Sequence, residues 1–77
     1  MCEEVKPVVG IRLNMMTERY RRGLTCAEVA KRLGTWSTMV SGWERGKSCP
    51  SSKYLVPLCE LYGSTPSYLL HREGMED

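Results

Sequence analysis

Phenylalanine is absent from the 77 residues, and histidine occurs only once, at His71. Any core must therefore be built from Leu, Val, Met, Tyr and the two tryptophans. One histidine beyond the last helix, with no acidic residue placed to orient it, is poor material for a catalytic triad. Nothing in the chain points to an enzyme, and no catalytic residue is assigned.

The four cysteines, Cys2, Cys26, Cys49 and Cys59, include no C-x-x-C pair. Structural zinc needs two close ligand pairs, so neither metal nor cofactor is expected. The thiols read as reduced ones in a cytoplasmic protein, with Cys59 in the core. No apolar run approaches the roughly 18 residues of a membrane span. The opening MCEEVKP is acidic and broken by Pro7, unlike a secretory leader. Repeats and low-complexity tracts are missing too.

What remains is one small domain with ordinary globular values, 42% hydrophobic and 26% charged. The net charge of +2 conceals an asymmetry. Glu3, Glu4, Glu73, Glu76 and Asp77 sit at the two ends. Between Arg19 and Lys53 stand eight basic residues (Arg19, Arg21, Arg22, Lys31, Arg32, Arg45, Lys47 and Lys53) against Glu28 and Glu44, so that segment carries +6. Such a stripe is the electrostatic footprint of phosphate recognition, or else a solvated basic face.

Periodicity predicts five short helices and an all-α fold. The first spans about residues 11–22, with Ile11, Met15, Met16 and Tyr20 on its apolar face, and ends at Gly23. Thr25-Cys26-Ala27-Glu28 is a capping box, T-x-x-E, that starts a second helix over 26–33 with Val29, Ala30 and Leu33 inward. Gly34 stops it. A third helix over 36–45 ends at Gly46. A fourth, over 52–62, buries Leu55, Leu58, Cys59, Leu61 and Tyr62, with Pro57 expected to distort or delay its first turn. Gly63 closes it, Thr65-Pro66 opens a fifth, and Tyr68, Leu69 and Leu70 complete the core. Residues 1–10 read as an arm, 11–70 as the domain and 71–77 as an acidic tail.

Helices two and three are joined so tightly that they must cross steeply, with a small residue at the crossing. Ala30 provides it, while Val40 and Trp43 plug the angle. The ordered set of GLT at 23–25, Glu28, Val29-Ala30, Leu33-Gly34, Val40-Ser41, Trp43-Glu44-Arg45-Gly46-Lys47, Pro50-Ser51, Leu55, Leu58, Leu61, Gly63 and Thr65-Pro66-Ser67-Tyr68-Leu69-Leu70 resembles the helix-turn-helix of lambdoid phage repressors, Cro proteins and related small bacterial regulators. The resemblance covers roughly residues 11–70.

It implies a compact five-helix DNA-binding domain whose third helix enters the major groove while the second lies across the backbone. It implies an Arg19–Glu44 pair, which the residues make plausible because an inward Glu needs a cation. Arg19, Ala30, Gly34, Val40, Trp43 and Glu44 are thus expected to hold the motif. By the same resemblance Ser37, Thr38, Ser41 and Gly42 face bases, with Arg45 at the helix end as the one long base-capable side chain. Relatives often carry Gln, Asn or Arg on this face. Their absence from its middle shifts specificity toward DNA shape. Thr25, Cys26, Trp36, Lys47 and Lys53 are the expected backbone contacts, although a thiol is a poor replacement for the Gln common at the position of Cys26.

Trp36 stands where relatives often carry a capping Ser or Thr. Spacing puts it on the apolar stripe with Met39, Val40 and Trp43, which favours partial burial and leaves capping to Thr35 or Ser37. The function implied is a repressor that occupies an operator in double-stranded DNA as a homodimer, in the cytoplasm of a bacterium or an infected host, without membrane or metal. Tyr68, Leu70 and the 63–67 turn lie where relatives often self-associate. An antitoxin, a restriction-modification controller or a protein-interaction module could use the same fold.

Overall fold

The computed structural model describes residues 10–74, which form five helices and no strand: α1 (Leu13–Arg21), α2 (Cys26–Leu33), α3 (Ser37–Arg45), α4 (Ser52–Tyr62) and α5 (Pro66–Leu70). The architecture is all-α, as the periodicity predicts. Most of the N-terminal arm, including Cys2, Glu3 and Glu4, and the last three residues of the acidic tail lie outside the described residues.

Local chemistry accounts for the boundaries. The capping box at α2 is complete: the Glu28 amide donates to Thr25 Oγ1 at 3.1 Å, and the Thr25 amide donates to Glu28 Oε1 at 2.8 Å. Thr65 caps α5 by accepting from the Tyr68 amide at 3.3 Å, and Pro66 occupies its first turn, where a missing N–H costs nothing. α1 starts two residues later than periodicity suggests, because Arg12 is non-helical and its amide donates to Glu44 O at 2.7 Å. The first turn of α4 is not delayed by Pro57: the Tyr54 and Leu55 amides both donate to Ser51 O. The carbonyl that Pro57 leaves without a donor belongs to Lys53, an exposed residue.

The core consists of Met15, Val29, Ala30, Val40, Trp43, Leu58, Tyr62 and Leu69, with at least one residue from each helix. Full burial of a side chain such as Leu58 or Leu69 stabilises the fold by about 1.5–3 kcal/mol. Cys59, Leu61 and Leu33 pack against this cluster but are only partly buried, as is Leu55. Tyr20, expected on the apolar face of α1, is instead 66% exposed, with the Arg19 guanidinium 4.5 Å above its ring. The edge of α1 is thus closed by polar groups. Glu18 is buried and accepts from Arg22 Nη1 at 2.6 Å and from the Tyr68 hydroxyl at 3.1 Å, while Arg22 Nη2 donates to Tyr62 O at 2.7 Å. One carboxylate and one guanidinium therefore link α1 to α4 and α5. Tyr68 is partly exposed because its hydroxyl reaches this network instead of the core.

Candidate functional site

α2 and α3 form the most closely packed pair of helices in the molecule. Gly34 caps α2 and the chain turns within three residues, with the Thr35 amide donating back to Ala30 O at 2.9 Å. Ala30, Val40 and Trp43 are all buried at this crossing. Arg19 locks the corner from α1 through Nε to Glu44 Oε2 at 2.7 Å and Nη2 to Glu44 Oε1 at 3.0 Å, with Nη1 donating to Leu24 O at 2.9 Å. Both side chains are buried, and the carboxylate raises the pKa of the guanidinium further, so Arg19 is a permanent cation. Removing one partner of such a pair leaves a buried charge uncompensated, at about 3–5 kcal/mol.

The outward side of α3 is recessed. Ser37, Thr38, Ser41, Gly42 and Arg45 line one open concavity of about 420 Å³, completed by Cys26 from α2 and Lys47 from the following loop. Seven of the residues assigned to DNA by their sequence positions thus meet at one place. Small side chains hollow the middle, and two cations stand at one end. Gly42 has a second neighbour: a Cβ there would lie 3.3 Å from Ser48 Oγ, and its carbonyl accepts from the Lys47 amide at 2.9 Å. The glycine therefore lets the 46–48 loop fold back against α3.

Cys26 is half-buried with its thiol 3.9 Å from Glu44 Oε1. Burial, reinforced by the Glu44 charge, raises its pKa and keeps it a protonated, weakly nucleophilic thiol. Cys26, Cys49 and Cys59 are all free. Among the described residues, no three His, Cys, Asp or Glu side chains form a group that could hold a metal ion, and no helix is long and apolar enough to cross a membrane. Thr25, expected to offer its amide outward, spends it on Glu28. The amides without a capping bond at this helix end belong to Cys26 and Ala27.

The eight cations of the basic stripe divide into two sets. Arg19, Arg21 and Arg22 are paired with Glu44 or Glu18. Lys31, Arg32, Arg45, Lys47 and Lys53 make no ion pair among the described residues and are all exposed. Lys53 is apart from the concavity, on the first turn of α4, with Nζ 5.4 Å from the centre of the Tyr54 ring.

Trp36 departs from expectation. It is 76% exposed, is not part of α3, and serves as its N-cap in an extended conformation without any side-chain capping bond. Neither Thr35 nor Ser37 takes over that role. The apolar stripe stops at Val40 and Trp43, because the extended backbone at residue 36 turns its side chain away from the helical wheel. Met39 beside it is 38% exposed.

Sequence reasoning gave no role to Arg12, Glu18 or Arg72. Arg12 and Arg72 act through bonds between distant parts of the chain, which no local spacing announces. A clue for Glu18 was present: arginines three and four residues later on the same helix.

A family model described as helix-turn-helix matches residues 16–69. That match includes α2, the turn, α3, α4 and most of α5. None of the curated proteins matches the chain.

Proposed function

Since the chain belongs to the Cro/C1-type helix-turn-helix family of DNA-binding transcription regulators, we propose that it is a repressor that binds an operator in double-stranded DNA as a homodimer. α3 enters the major groove of each half-site, with Ser37, Thr38, Ser41, Gly42 and Arg45 toward the bases. The N-terminal end of α2 at Thr25 and Cys26, together with Trp36, Lys47 and Lys53, meets the sugar-phosphate backbone. Two-fold symmetry of the protein would require half-sites about one helical turn apart. The chain acts in the cytoplasm, needs no cofactor and has no catalytic activity.

The observation that best supports this reading is the meeting of the α3 face, Cys26 and Lys47 in one recess, with two cations, Arg45 and Lys47, that make no ion pair among the described residues. Hydroxyls can donate to or accept from base edges, and the Thr38 methyl can rest on a thymine methyl. No side chain in the middle of this face offers a bidentate bond, so much of the discrimination falls to groove width and bendability, with Arg45 able to make the strongest single base contact. Selection from a random duplex library tests the proposal. The expected result is an enriched two-fold site whose binding, followed by anisotropy, weakens steeply as salt rises. Absence of enrichment, with no binding at low salt, would refute it.

Trp36 favours a second reading, a protein-interaction module on the same fold. An indole that is 76% exposed next to a partly exposed Met39 is the kind of surface that apolar partners cover. Contact of that type would be nearly insensitive to salt, whereas phosphate contact would not.

A further inference from the structure

The loop that follows α3 is held from both ends of the chain by two arginines, neither of which has a carboxylate partner among the described residues. Arg12 is 5% exposed, and its Nη1 donates to both Trp43 O and Ser48 O, each at 2.7 Å, while its own amide donates to Glu44 O. From the other end, Arg72 donates through Nε to Gly10 O at 3.1 Å and through Nη2 to Gly46 O at 3.5 Å. The Gly10 amide donates to Glu73 O and the Glu73 amide to Ile11 O, so the two terminal segments clasp each other beside the loop. Gly10 and Gly46 approach so closely that a Cβ on Gly46 would overlap the Gly10 carbonyl. Gly10, Arg12, Arg72 and Glu73 all lie outside the family-matched residues 16–69.

From this geometry we infer that Arg12, supported by Arg72, is a positioning residue for the DNA-binding face. It sets the path of residues 46–48 and thereby the placement of Lys47 and Arg45. The charge of Arg12 is placed at the carbonyl-rich C-terminal end of α3, where a cation is favoured, and one terminal nitrogen, Nη1, bridges two carbonyls at once. A lysine there keeps the charge, but its nitrogen lies one bond nearer the backbone and falls short of the point where Nη1 bridges the two carbonyls. The inference rests on the DNA-binding reading above.

The test compares the full 77-residue chain with Arg12→Lys and, as a second variant, Arg72→Met. Amide hydrogen exchange is measured in the free protein, and anisotropy on the selected duplex across a salt series. Arg12→Lys should accelerate exchange at the Lys47 and Ser48 amides, which bond to Gly42 O, and leave the α2 amides unchanged. DNA affinity should fall about tenfold, and the slope of log affinity against log salt should flatten by roughly 1 per protomer, the value of one lost phosphate contact. Because the charge count is the same, a flatter slope reports misplaced cations instead of a missing one. Arg72→Met should change the same two readouts in the same direction, but less.

Unchanged exchange at Lys47 and Ser48 would overturn the clamp. A wild-type slope with exchange accelerated would overturn its link to DNA. An affinity loss explained wholly by a lower folded fraction, judged from thermal unfolding of the same samples, would reduce Arg12 to a stabilising residue and also overturn the inference. If the wild-type chain binds no duplex, the DNA-binding reading itself fails, and exchange still decides separately whether Arg12 holds the loop.

Discussion

Two glycines show how differently one residue type can be constrained. Gly34 and Gly46 cap α2 and α3 with φ values of +74° and +80°, so an alanine at either pays the left-handed cost of roughly 1–2 kcal/mol. Gly34 has nothing within 4 Å of where its Cβ would stand, whereas at Gly46 that Cβ would lie 1.9 Å from the Gly10 carbonyl. The clash is with backbone held by the Arg72 and Glu73 bonds, so it cannot be relieved by a rotamer change. Gly46→Ala should therefore add an overpacking cost of about 1–3 kcal/mol to the conformational one. In a domain of this size each kcal/mol lowers the unfolding midpoint by about 4–8 °C. Thermal unfolding of Gly34→Ala and Gly46→Ala should separate them clearly, the second being much the less stable. Equal losses would mean that the Gly10–Gly46 approach relaxes freely.

At the level of helices, local signals and tertiary ones were not equally legible. The bounds of α2 could be read directly, because the capping box and Gly34 act within their own turn. α4 was legible for the same reason, with Gly63 closing it. The burial of Trp36 was misread because helical spacing was extended one residue past the true start of α3. The Arg12 and Arg72 clamp left no pattern, since its acceptors are carbonyls, which every residue possesses. The Glu18 network lies between these cases, and it makes the stability of the α1–α4–α5 side depend on pH. The Arg22 hydrogen bond, with the Tyr68 hydroxyl and Arg21 adding to it, holds the Glu18 carboxyl below the ordinary range despite the opposing effect of burial. A depressed carboxyl contributes stability above its unfolded value, near 4.3, and loses it as pH falls through the lower folded value. Below about pH 5 the wild-type unfolding midpoint should therefore fall with acidification, and Glu18→Gln should show a shallower fall. Identical acid slopes for the two proteins would show that the carboxylate charge is not what joins these helices.

Across the whole molecule, charge is partitioned by use. Glu44 holds the arginine that locks the corner, and Glu18 holds Arg21 and Arg22 on the side that joins α1 to α4 and α5. Among the described residues, Lys31, Arg32, Arg45, Lys47 and Lys53 on the α2–α3 side and its neighbouring loop have no acidic partner. If Lys47 and Lys53 each met one phosphate, log affinity would fall with log salt at a slope of about −1.8 per protomer, and about twice that for a dimer. Lys47→Gln should reduce the slope by about 0.9 per protomer and weaken every duplex nearly equally, because a phosphate contact carries no sequence information. Thr38→Val should act in the opposite manner, preserving the slope while changing which base pairs are preferred, because it removes a hydroxyl and keeps the methyl. Anisotropy on the selected site and on single-base variants measures both quantities in one series. A Lys47 variant that shifts base preference, or a Thr38 variant that flattens the salt slope, would exchange the two roles and place the bases toward the 46–48 loop instead of α3. If neither variant differs from wild type on any duplex, the recess is not where DNA is held, and Trp36 on the neighbouring surface becomes the residue to substitute next.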